Sequence, residues 1–268
     1  MPDNSDETPP SVALRVGNVV SFVLCLAANA TVGKDIGKVS RNYTTNINPD
    51  GWAFSIWGLI YIMITCFVIY QTILKTERSA AIVNSIGYLF IASNFCNGMW
   101  CVFFTRGTEF LISCSCFILL GLVAVNMTIL YLARSWKPDN HHGIYEIILV
   151  DVLFSIYASW GAVASIVNIA VALVANKWSG WGVSPSSWAA VMICIAAGIS
   201  IAVLFRCRNP IYPMVFVWST MAIYTKNKSD ELVGPVSLSA VMIVAIVTYY
   251  NLTLGKKRDS QPNLLFLN

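Results

Sequence analysis

Pro49-Asp50-Gly51-Trp52-Ala53-Phe54-Ser55-Ile56-Trp57-Gly58-Leu59-Ile60-Tyr61 runs from a polar loop into an apolar stretch through a cluster of aromatic residues. Phe54, Trp57, Tyr61 and Thr65 are three or four residues apart, so a helix puts them on one face. Such a stripe either packs against neighbouring helices or lines a site, since large aromatics favour buried and interfacial positions in both cases. The stretch opens one of several apolar runs near the ~20 residues that cross the hydrocarbon as a helix. Of 268 residues, 57% are hydrophobic and 11% charged, against roughly 25% charged in an ordinary soluble domain. The chain is therefore expected to be an all-α, polytopic membrane helical bundle.

Working outward from this stretch, the apolar runs place spans at about 12–31, 52–74, 82–104, 110–133, 144–175, 188–205 and 232–254. Residues 211–224, which contain Pro213, form a shorter run, expected as a kinked span or a re-entrant piece. The longest polar connection is 32–51. The run 144–175 exceeds one crossing and is expected to begin as an interfacial turn before Asp151. Residues 1–11 form a polar N-terminal tail without the basic n-region of a signal peptide, and 255–268 a C-terminal tail. With eight spans, ten Lys and Arg fall on the side of both termini and seven on the other, which favours cytoplasmic termini. The sequons at Asn42 and Asn227 then share the opposite face.

Composition also excludes several functions. A net charge of +4, scattered over loops and helix ends, gives no nucleic-acid footprint. Seven of the eight cysteines lie inside apolar runs and read as small apolar fillers, and Cys114-Ser-Cys116 lacks the second ligand pair of a zinc site. His141-His142 reads as a solvated pair in a polar loop, and no metal site is expected. No nucleophile with a base and no phosphate loop is present, so catalysis is not expected.

Two other runs carry stripes like the first. Asn94, Asn97, Trp100 and Phe104 share one helix face, as do Tyr157, Trp160, Ala164 and Asn168. An Asn inside a bilayer needs a partner, so Asn97 and Asn168 either bond neighbouring helices or face a cavity. Asp151 is the strongest candidate for a buried charge. Ala190, Cys194, Gly198 and Ala202 form a ladder of small residues that permits close helix approach, within the bundle or in a homodimer. Val125, Tyr131 and Arg134 make a loose sterol-type pattern.

On these residues the chain resembles the TspO/MBR family of tryptophan-rich sensory proteins and translocator proteins. Pro49, Trp57, Gly58 and Tyr61 are similar to the family's second-helix signature. Asn97, Trp100, Phe103 and Phe104 resemble its third-helix Asn, Trp and paired Phe, and Tyr157, Trp160 and Asn168 its fifth-helix motif. The likeness covers about residues 12–175 and is nearest to a longer branch with extra C-terminal helices, here 176–254. Phe54-Ser55 stands where shorter members have Gly-Pro, and the sterol-recognition segment has no counterpart at 176–181. The resemblance implies a five-helix core with about three further helices, and an aromatic-lined pocket for tetrapyrroles or other flat hydrophobic ligands. It also implies a cytosolic first loop, opposite to the charge count.

The residues expected to line the pocket are Trp57, Tyr61, Asn97, Trp100, Tyr157, Trp160 and Asn168, with Trp52 and Phe54 at its mouth. Rings give large stacking area at low entropy cost, and a few Asn and Tyr groups orient a ligand in an apolar cavity. The expected partners are membrane lipid and a hydrophobic small molecule, with a homodimer possible through the small-residue ladder. The alternative is a secondary transporter or channel for a small solute, with Asp151 as its coupling site.

Overall fold

In the computed structural model, residues 12–73, 77–135 and 143–260 are described, and among them no strand occurs. The tail 1–11, the His141-His142 pair and residues 261–268 lie outside them. The helices in chain order are α1 Val12–Val32, α2 Ile36–Asn42, α3 Ile56–Ile73, α4 Glu77–Ile86, α5 Leu89–Thr105, α6 Glu109–Ser135, the short turn α7 Ile144–Glu146, α8 Leu153–Ala175, α9 Pro185–Cys207, α10 Ile211–Asn227 and α11 Val233–Ser260. Six helical stretches among the described residues are long and apolar enough to cross a membrane. The protein is an integral, multi-pass membrane protein.

Local chemistry sets the boundaries. Gly87, at φ +54°, breaks the expected single span 82–104 into α4 and α5, which bend by 59°; only glycine reaches that backbone region without Cβ strain. The first helical run also departs from expectation. A 3-10 turn at Gly33–Asp35 carries it on into α2, so the polar connection is helical as far as Asn42. Residues 144–175 form one helical run with a π-helical stretch at Ile147–Val152 that contains Asp151.

In the short segment, α10 is one continuous helix of 17 residues. Asn209 Oδ1 accepts from the N–H groups of Ile211 (3.1 Å) and Tyr212 (3.3 Å), and Pro213 falls in the first turn. A proline there removes only a donor that has no intrahelical acceptor, so it starts the helix and does not kink it. At ~1.5 Å per residue α10 spans about 25 Å, the low end of what a membrane helix needs.

The chain divides into two compact units. The first comprises residues up to 45 and 54–179, and the second 46–53 and 180–268. The division expected at 175/176 thus lies four residues later, and the loop segment 46–53 belongs with the C-terminal helices. In the first unit α8 is the central helix: Phe154, Tyr157, Ala158 and Trp160 are all buried, and α6 packs along it, α5 along α6, and α1 along α5. Outward faces carry Val16, Val20, Ile62, Phe95 and Phe117, the apolar surface a lipid-facing helix requires. In the second unit α9, α10 and α11 pack on one another and hold the loop segment. Asp50 N–H donates to Ala222 O at 3.0 Å, and Trp52 meets Trp218 edge-on at 4.6 Å.

Polar contacts within each unit fix which loops share a face. In the first, Tyr43 OH donates to Gly107 O (3.3 Å) and Asn176 Nδ2 to Ser113 Oγ (3.0 Å). In the second, Asn46 Nδ2 donates to Ser186 Oγ (3.0 Å), and Ser186 Oγ to Asp230 Oδ2 (2.7 Å). The starts of α6 and α9 and the ends of α2, α5, α8 and α10 therefore lie at one face of their unit. In the second unit α10 runs back along α9, so that its end returns to the face at which α9 starts.

Candidate functional site

The three aromatic stripes converge inside the first unit. Trp57, at the start of α3, is the hub. It stacks on Tyr61 (centroids 5.6 Å, 19° between planes) and on Trp100 of α5 (5.9 Å, 23°), and it meets Tyr157 (6.1 Å, 81°) and Trp160 (6.3 Å, 87°) of α8 edge-on. Trp100 in turn stacks on Phe104 at 5.8 Å and 27°. The result is a column of near-parallel rings, Tyr61, Trp57, Trp100 and Phe104, with Trp160 and Tyr157 as an edge-on wall. Helical spacing of three and four residues puts each pair on one face, and offset-stacked or edge-on contacts are what ring quadrupoles favour.

Exposure grades along this cluster. Trp100, Tyr157 and Trp160 are buried, whereas Trp57, Tyr61 and Phe54 are half-buried. The backbone of α3 approaches α1 and α8 at only a few positions, while α6 lies along much of α8. Bulky rings therefore fill the space between α3 and its neighbours, and the rings of the cluster that keep some exposure are those of Phe54, Trp57 and Tyr61.

Amides hold the rings in place. Asn97 donates to Tyr157 OH at 2.6 Å and accepts from Asn29 Nδ2 at 3.1 Å, which ties α5 to α8 and α1. Asn168 accepts from Trp100 Nε1 (3.1 Å) and donates to Ser115 Oγ (2.9 Å) and Ile112 O (3.2 Å) on α6. Its carboxamide is taken up within the protein, so Asn168 acts by orienting the Trp100 indole. Two polar atoms of the cluster are different. Trp160 Nε1 is buried with no acceptor, and Tyr61 OH lies beside Asn97 outside hydrogen-bonding geometry.

The two residues expected at the mouth separate. Phe54 packs edge-on against Trp160 at 5.7 Å, within the first unit. Trp52 belongs to the second, where it is 40% exposed against Trp218, whose Nε1 donates to Ala53 O at 3.2 Å. Sequence reasoning missed Asn29 and Trp218, and it placed Phe104 on the α5 stripe without counting it among the lining residues. Asn29 was accessible to the argument used for Asn97, since it is an amide in the apolar run Ala27-Ala28-Asn29-Ala30.

The remaining candidates lie elsewhere. Asp151 is half-buried in the π-helical stretch, where its backbone carbonyl accepts from Ser155 Oγ. On α9 the ladder residues Cys194, Gly198 and Ala202 are exposed, and the buried face is Ala189, Ile193, Ser200 and Leu204. Among the described residues no group of His, Cys, Asp and Glu is placed to hold a metal ion.

Compared with known proteins, residues 13–253 match a family model described as TSPO-like protein. Neither the curated proteins nor the solved structures yield a match. The matched region runs through α9, α10 and most of α11, so the helices beyond α8 are part of the family's own pattern.

Proposed function

Because this chain belongs to the TSPO-like family, and because its aromatic stripes meet in one ring column, we propose that it binds a flat, hydrophobic, tetrapyrrole-like ligand for sensing or transport. The observation that carries this reading is the column itself, in which Trp57 and Tyr61 are half-buried. A planar macrocycle parallel to these rings gains stacking area that an aliphatic lipid tail does not. The Trp160 indole N–H, buried and unpaired among the rings, supplies a donor for a polar group on such a ligand. Phe54, Trp100 and Tyr157 complete the lining, and Asn97 and Asn168 orient it.

A protoporphyrin IX titration of purified protein is expected to show saturable quenching of tryptophan fluorescence, weakened severalfold by Trp57→Leu and by Trp160→Leu. Trp57 makes four ring contacts, each worth about 0.5–1.5 kcal/mol beyond its area burial, so Trp57→Phe serves as the variant that retains packing. Quenching that rises linearly with ligand, or that is the same in all variants, contradicts the reading.

A further inference from the structure

The connection after α1 carries a charged face that the ring column does not use. Lys34, in the 3-10 turn, and Lys38 and Arg41 of α2 follow one another at four and three residues, so they share one face, opposite Val39. All three are exposed, whereas Val39 is 4% exposed. The inward face of α2 rests on the turn between α5 and α6. A Cβ at Gly107 would lie 3.6 Å from Val39 Cγ2, and Tyr43 OH donates to Gly107 O at 3.3 Å. Arg106, also exposed, belongs to that turn and adds a fourth cation beside α2.

This charge is not cancelled locally. Among the described residues, none of the four side chains makes an ion pair or a hydrogen bond. The same face of the unit also carries Lys177, and its carboxylates among the described residues are Asp35 and Glu109, so positive charge is in excess. Depth matters as much as sign. The 21 residues of α1, at ~1.5 Å each, suffice to cross the ~30 Å of hydrocarbon, and α2 continues the same helical run. Lys34 then follows about 3 Å and Lys38 about 9 Å beyond the end of α1, where long side chains reach the headgroup layer. Arg41 turns back the same way, since a Cβ at Gly37 would lie 3.3 Å from its Nη1. Its guanidinium is therefore one turn nearer to α1 than its own backbone.

We propose that Lys34, Lys38, Arg41 and Arg106 form a docking surface for the phosphate groups of anionic phospholipids in the surrounding bilayer. Basic residues next to a membrane helix attract the headgroups of a negatively charged leaflet, and each one adds to the attraction. An exposed cation gains little from a single dissolved anion. Lipid phosphates are already concentrated at this level by the bilayer, so their contacts with four cations add up without the cost of capturing a free solute.

The test is native mass spectrometry of the full chain released from nanodiscs of phosphatidylcholine and phosphatidylglycerol, which counts the lipids it retains. Phosphatidylglycerol is expected to be enriched severalfold over its share of the bilayer on the wild-type protein. The enrichment is expected to be lost in Lys34→Gln/Lys38→Gln/Arg41→Gln and kept in Lys34→Arg/Lys38→Arg. Retention in proportion to the bilayer composition overturns the proposal, and so does enrichment that the triple variant keeps. Enrichment abolished by inorganic phosphate, but not by chloride at the same ionic strength, overturns it too, since the surface then serves a dissolved anion. Arg106→Gln, on a separate element, is expected to lower the enrichment as well, so misfolding of the triple variant leaves a decision. Porphyrin binding is read separately, and failure of either test leaves the other standing.

Discussion

Asn97 and Asn168 were equally open, as sequence, to joining helices or facing a cavity, and their partners separate the roles. Asn168 spends its carboxamide on the Trp100 indole and on α6. Replacing it with leucine strands the buried Trp100 N–H, and the expected loss is about 1–3 kcal/mol, above the ~0.6 kcal/mol average of interhelical bonds in a membrane. Thermal unfolding of Asn168→Leu in detergent measures this; an unchanged melting temperature contradicts the positioning role. Asn97 joins three helices through Asn29 and Tyr157. The stripe containing Asn97 and the amide of Asn29 in its apolar run are each visible in sequence, but their pairing is not, because a single amide without periodic companions does not show which helix it faces.

At the scale of single helices, end chemistry decided what hydropathy did not. Gly87 bends the third span and Asn209 starts α10, both through local backbone geometry to which a hydropathy window is blind. Asp230 does the same for α11. Its Oδ1 accepts from Leu232 N–H (3.0 Å) and Val233 N–H (2.8 Å), and its Oδ2 from Ser186 Oγ. The Val233 N–H, the Ser186 hydroxyl and the Leu232 N–H hold this carboxyl below its ordinary value of 3.8. A depressed native value means that the stabilising effect is complete above about pH 3.8 and is lost as pH falls through the lowered value. Asp230→Asn is therefore expected to melt below wild type at neutral pH, with the gap closing in acid, as thermal scans across pH will show. A gap independent of pH contradicts the charge-assisted cap.

For the whole molecule, the long apolar runs made the membrane bundle legible, and three spaced motifs made the family legible. The assignment of 46–53 to the C-terminal unit was hidden, since it depends on contacts between segments about 140 and more residues apart, such as Asn46 with Ser186 and Trp52 with Trp218. The same contacts return the end of α10 to the face of the second unit at which α9 starts. Single cysteines introduced at Arg208 and Ser229, in a chain lacking the native eight, are then expected to react with an impermeant maleimide from opposite sides of a sealed vesicle. Labelling of both from one side contradicts the topology. The central claim is that the ring column around Trp57 holds a planar ligand, and induced circular dichroism tests it most directly. Protoporphyrin IX is achiral, so a Soret-band signal arises only when a fixed asymmetric site holds it. The wild-type protein is expected to induce that signal and folded Trp57→Leu to lose it; no signal with wild type, or an equal signal with the variant, contradicts the account.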